Sequence, residues 1–104
     1  MTPEEFMNNV VESIDSLVDL YSQGKNGPTY LRSELDKIEL SNEQREKVLE
    51  LIQLAVGEAT HAIICGIEGT ASLGSSQEIY KLLDENGNEL TGNLDALLFE
   101  RLEG

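Results

Sequence analysis

His61 and Cys65 are the only histidine and the only cysteine of the chain, and Glu58 stands three residues before the histidine. On a helix, spacings of three and four put side chains on one face. One carboxylate, one imidazole and one sulfur would then converge, the makings of a metal site or of a thiol–imidazole nucleophile. A structural zinc wants four ligands drawn from paired Cys or His, and no second such pair exists in this sequence. A nucleophilic thiolate wants an exposed, electropositive setting. Cys65 is flanked instead by Ile63, Ile64, Gly66 and Ile67. These residues read as a buried structural cysteine, and neither a catalytic residue nor a metal ligand is expected.

Asp84-Glu85-Asn86-Gly87-Asn88-Glu89 offers carboxylates in a row that superficially suits calcium. The EF-hand loop needs glycine at its sixth place and glutamate at its twelfth. Counted from Asp84, those places hold Glu89 and Asp95, so a turn is the better reading. Gly66, Gly69 and Gly74 lie in no Gly-Lys-Ser/Thr or Gly-x-Gly-x-x-Gly context, and Glu68 has the wrong sign for a phosphate cradle. Among twenty carboxylates, close pairs are inevitable, and none stands out as an acid–base couple. No cofactor is expected, and the chain does not read as an enzyme.

What the residues do offer is charge. Twenty acidic residues face seven basic ones, for a formal net charge of -13. Such a field repels phosphate backbones and anionic lipid surfaces and attracts basic proteins. Neither nucleic acid nor a membrane is therefore the expected partner. Glu5, Glu12 and Asp19 recur at intervals of seven, Asp15 lies close to the same stripe, and no Lys or Arg occurs from Met1 through Gly24. A solvated helix face often mixes signs; this one does not, and it reads either as a docking surface for a basic groove or as a plain solvated face. Asp84, Glu85 and Glu89 form a second acidic group at a turn tip. Tyr21, Tyr30 and Tyr80 are the candidate anchors if exposed.

The elements that must carry these residues follow from periodicity. Thr2-Pro3-Glu4-Glu5 is a helix start with a cap, a proline at the first helical position and a capping-box glutamate. Met7, Val10, Ile14, Leu17 and Tyr21 then mark one buried face. This helix is expected from Pro3 to Gln23, ended by Gly24 and Lys25-Asn26-Gly27-Pro28. A short second helix is expected around Tyr30, Leu31, Leu35 and Ile38, with Thr29 as cap. Ser41-Asn42-Glu43-Gln44 is a second capping box. It opens a third helix with Val48, Leu51, Ile52, Ala55, Val56 and Ala59 on its inner face. Ala62 to Ile67 is apolar on both sides, so it reads either as that helix continued past Gly57 or as a short buried strand. After a loop rich in small residues, Asn86-Gly87 predicts a hairpin, with Glu78–Leu83 as one strand and Glu89–Thr91 as its return. Gly92-Asn93 leads into a last helix with Leu94, Leu97, Leu98 and Leu102 on its apolar side and Phe99 nearby.

The expected architecture is thus α+β and mostly helical: three helices, a β-hairpin or small antiparallel sheet, and a C-terminal helix. With 104 residues and 39% hydrophobic residues, one domain spanning residues 1–104 is expected. A lone cysteine cannot form an intramolecular disulfide, which points to a reducing compartment. Met1 to Glu5 lacks the basic start and apolar run of a signal peptide. The longest uninterrupted apolar run, Ala62–Cys65, is far too short to span a bilayer. The cytoplasm is the expected location.

The segment His61-Ala62-Ile63-Ile64-Cys65-Gly66-Ile67-Glu68-Gly69, continued through Tyr80-Lys81-Leu82-Leu83-Asp84-Glu85-Asn86-Gly87, resembles the layout of small bacterial immunity proteins. The likeness covers roughly residues 58 to 102. It lies in a helical front half, an apolar segment ending near Glu-Gly, a Gly/Ser-rich passage and a hairpin. The chain departs from the four-helix colicin immunity pattern in its hairpin region. The resemblance implies a protein that binds and neutralises a cognate toxin domain, often a basic nuclease. The expected function is therefore inhibition of a basic bacterial toxin domain by occlusion. The alternative is an acidic adaptor or regulatory protein with no toxin partner. The protein acts as a monomer or a homodimer on either reading.

Overall fold

Three hydroxyl side chains set helix starts in the computed structural model, in which residues 1–23 and 29–103 are described. Thr2 Oγ1 accepts from the Glu5 N–H at 3.1 Å and opens α1 (Pro3–Ser22). Thr29 Oγ1 accepts from the Arg32 N–H at 3.1 Å and opens α2 (Tyr30–Leu35). Ser41 and Gln44 exchange both bonds of a capping box, at 3.1 and 2.9 Å, and open α3 (Asn42–Glu68). Each cap satisfies amide groups that the first helical turn leaves without partners. The expected stop at Gly24–Pro28 lies outside the described residues.

α3 settles the choice left open for Ala62 to Ile67: they are helical. Gly57 does not interrupt the helix. A mid-helix glycine costs about 1 kcal/mol relative to alanine, too little to break a long helix whose far end is well packed. The helix ends where Gly69 enters the left-handed region at φ 79 and the Thr70 N–H turns back to the Cys65 carbonyl at 3.1 Å. α4 (Leu94–Glu103) follows after an irregular passage.

That passage corrects the α+β expectation. The described residues form four helices and no strand, and the Asn86-Gly87 segment contributes only an isolated bridge between Leu83 and Glu89. The turn itself is present, with Gly87 at φ 84 and the Asp84 N–H donating to the Asn88 carbonyl at 3.0 Å. The ladder stops after one more rung, Leu90 N–H to Leu82 C=O at 2.8 Å. There the Leu82 N–H turns to the Thr91 hydroxyl at 3.3 Å, and the chain leaves at Gly92 to start α4. A return arm of about three residues is too short to sustain a hairpin. The segment before the turn is instead tied to the end of α3 through Tyr80 N–H to Ile67 C=O at 3.1 Å and Gln77 Nε2 to Gly69 C=O at 3.1 Å.

The core sits where α1, the C-terminal part of α3 and α4 meet. Met7, Ile64, Leu94 and Leu98 are buried there, with Phe6, Val10, Val11, Ile67, Leu82 and Leu97 packed around them. Ile14 of α1 and Leu35 of α2 are also buried, and so is Arg32, which is only 3% exposed. Arg32 donates through Nη1 to the Tyr21 carbonyl at 2.6 Å, in the last turn of α1, and through Nε to Asp36 at 3.1 Å. Arg45 of α3 donates to the same carboxylate at 2.7 Å. Burial pushes the Asp36 carboxyl up, but the hydrogen bonds and charges of Arg45 and Arg32 outweigh burial and hold it below the ordinary carboxylate range.

The inner face expected for α3 is only partly inner. Val48, Ile52 and Val56 are half-buried, whereas Leu51, Ala55 and Ala59 are exposed. The fold is correspondingly drawn out. Its radius of gyration is 16.4 Å, against about 13 Å for a compact chain of this length. Its accessible surface is 7092 Å², against about 5,800 Å² for a compact monomer of this mass. Helical continuity through Gly57 also joins apolar runs that are short in sequence. α3 is the one helix among the described residues long and apolar enough to cross a membrane, with an 18-residue window of mean hydropathy 1.5.

Candidate protein-binding surface

α1 is amphipathic in a way that separates charge from core. At about 100° per residue, Glu5, Glu12, Asp15 and Asp19 fall within an arc of roughly 80°, opposite the buried Met7 and Ile14. All four carboxylates are exposed. The ion pairs of the described residues engage Glu34, Asp36, Glu50 and Asp84, and none involves this stripe. Arg101 of α4 reaches this same arc at Asn8, between Glu5 and Glu12 along the helix, donating to Asn8 Oδ1 at 2.7 Å and to the Leu97 carbonyl at 3.1 Å, without forming an ion pair with the stripe. Glu5 to Asp19 spans about 21 Å along the axis. A row of unpaired like charges on a rigid helix produces a lasting negative potential.

The second acidic group divides. Glu85 and Glu89 are exposed on the turn. Asp84 is turned into it: its carboxylate accepts from the Asn86 and Asn88 backbone N–H groups at 2.9 Å each and from Asn88 Nδ2 at 3.0 Å. It also pairs with the Met1 ammonium at 3.1 Å. The Asn88 bonds, side chain then backbone, outweigh the effect of burial, and with the N-terminal ammonium and the Asn86 N–H they hold this carboxyl far below the usual range. Asp84 therefore organises the loop, while Glu85 and Glu89 are the residues that it presents. The Met1–Asp84 pair also brings the acidic start of α1, Glu4 and Glu5, beside this loop.

Of the tyrosines, Tyr30 is 82% exposed at the start of α2; Tyr21 and Tyr80 are half-buried. His61 and Cys65 do meet, with Sγ 3.6 Å from Nε2, and Glu58 is exposed on the same helix. Cys65 is half-buried rather than buried. The open pocket it shares with His61 is also lined by Asp95 and Glu100. Among the described residues no three His, Cys, Asp or Glu side chains gather as a metal site.

Two features escaped the sequence reading. Glu68 caps α4 from a distance, accepting from the Gly92 and Leu94 N–H groups at 2.8 and 2.7 Å. Arg32, an ordinary surface residue by type, is buried as the joint between α1 and α2. The Arg32–Asp36 spacing of four is visible in the sequence, but the burial of Arg32 on the Tyr21 carbonyl and the reach of Glu68 to α4 are set by the tertiary fold. Comparison with protein-family models, with curated proteins and with solved structures finds no match.

Proposed function

We propose that this chain is a protein-binding inhibitor that neutralises a basic partner, a bacterial toxin domain in the reading suggested by its layout, by occluding it with an acidic surface. It acts by association and carries out no chemistry of its own; the cytoplasm is the setting this reading assigns to it. The observation that carries the proposal is the α1 stripe, where Glu5, Glu12, Asp15 and Asp19 are exposed without a cationic partner among the described residues. Unpaired charges on a surface helix add nothing to folding and repel one another, but they attract a basic groove from a distance and bias its orientation. Glu85 and Glu89 extend the same potential at the adjoining loop.

The test begins with the protein encoded immediately beside this one. Mixed with the purified chain, that protein is expected to lose its activity in a one-to-one complex. The Glu12→Lys/Asp15→Lys/Asp19→Lys variant should inhibit at least about ten-fold less well. Full inhibition by that variant would remove α1 from the interface. A neighbour that is not basic and does not bind would favour the adaptor reading.

A further inference from the structure

α3 and α4 leave a groove between them, about 440 Å³ in volume, that no residue of α1 lines. Its floor is apolar. Leu54 and Gly57 come from α3, Phe99 and Leu102 from α4. Leu54 is 58% exposed and Phe99 54%, although side chains of this size normally seek burial. Gly57 deepens the floor: a Cβ there would meet only the Leu102 methyl groups, at 3.6 and 3.7 Å. Glu50 and Glu58 rim the α3 side and Glu103 the α4 side, and no Lys or Arg lines the groove. Lys47 reaches Glu50 at 3.5 Å as an exposed surface pair, and Arg101 turns away to Asn8 on α1.

We propose that this groove is a docking site for an amphipathic helix of the basic partner, with bulky apolar anchors seated against Leu54 and Phe99 and Lys or Arg side chains reaching the carboxylate rim. The inference rests on the reading of the chain as a binder of basic proteins and adds the place and shape of the contact. Two helices with exposed apolar stripes at spacings of three and four form the receptor side of a helix-in-groove interface. Charge complementarity selects the occupant. A second copy of this chain would set Glu50, Glu58 and Glu103 against its own acidic surface, and an anionic lipid surface would meet the same rim. A cationic helix is attracted by it.

The test uses the full chain and three helical peptides of about 18 residues, long enough to form helix on docking. One has a leucine face and a lysine face, one replaces the leucines by alanine, and one replaces the lysines by glutamate. Titration by calorimetry is expected to show one-to-one binding of the Leu/Lys peptide. The Ala/Lys and Leu/Glu peptides should each bind at least about ten-fold more weakly, and so should the Leu/Lys peptide to Leu54→Gln or Phe99→Gln. Both positions are exposed, and circular dichroism verifies that both variants fold. Equal binding of Ala/Lys and Leu/Lys, or indifference to both substitutions, overturns the groove while leaving the acidic-surface reading intact. Equal binding of Leu/Glu and Leu/Lys overturns the acidic-surface reading itself. Absence of binding by any peptide overturns the groove, as does self-association or uptake by phosphatidylcholine vesicles that Leu54→Gln abolishes.

Discussion

The Glu68 carboxylate accepts from the Leu94 N–H at 2.7 Å, across 26 residues of sequence, so the last residue of α3 caps the first turn of α4. The same carboxylate holds the Gly92 N–H, and a negative charge here also suits the α4 dipole. Loss of this cap should be felt in stability. Glu68→Ala is expected to lower the free energy of unfolding by about 1–2 kcal/mol, and Glu68→Gln by less, in urea titrations followed by circular dichroism. An unchanged midpoint in Glu68→Ala would show that the irregular passage, not the cap, positions α4.

Arg32 joins α1 to α2 through the Tyr21 carbonyl. Its removal leaves a buried cavity, and that carbonyl loses its donor. Arg32→Ala should cost about 2–3 kcal/mol, and Arg32→Lys nearly as much, because an ammonium cannot reproduce the forked contacts with Tyr21 and Asp36. Denaturant midpoints of the two variants test this.

The glycines separate by what surrounds them. Gly57→Ala meets only ordinary contact with Leu102 and is expected to stabilise the protein by up to about 1 kcal/mol through helix propensity. Gly66→Ala would put a Cβ at 2.9 Å from Leu73 side-chain atoms, and Gly69→Ala would strain a φ of 79 and approach Ile79 Cγ1 at 2.7 Å. Both should destabilise. Thermal melts of the three variants give the ordering directly.

Acid should weaken the fold through two carboxylates. Asp84 and Asp36 both titrate below their ordinary range in the folded state. The unfolded chain then binds protons first, so their contribution is complete above the unfolded value near pH 4 and falls as pH drops toward the folded values. Stability from urea midpoints should decline progressively below about pH 4, and Asp84→Asn should show a shallower decline together with lower stability at neutral pH.

Local chemistry made the helix starts legible. Thr2, Thr29 and Ser41 each cap the helix that their neighbours announce, and in Ser41-Gln44 both bonds of the box form. At Thr2 only the hydroxyl half does. The continuation of α3 was not legible, because a segment apolar on all sides has no period to distinguish helix from strand. The hairpin failed for a different reason: Asn86-Gly87 specifies a turn, and whether a ladder grows from it depends on how long the arms stay paired. Thr91 and Gly92 end the pairing within a few residues. At the candidate site, the α1 stripe followed from spacing alone. The inward turn of Asp84 rests mainly on local bonds from Asn86 and Asn88, with the Met1 ammonium added by the tertiary fold. The groove over Gly57 needed the placement of α4 against α3, a relation that no window of sequence contains.

If negative potential on α1 draws in a basic partner, the association rate measured by stopped flow must depend on ionic strength. With a basic protein that the chain is found to inhibit, the rate should fall steeply with added salt, and reversal of Glu12, Asp15 and Asp19 to lysine should slow it at least about ten-fold at low salt. That difference should shrink as salt approaches about 1 M. Identical rates and identical salt dependence for the two proteins would mean that the α1 carboxylates do not steer association.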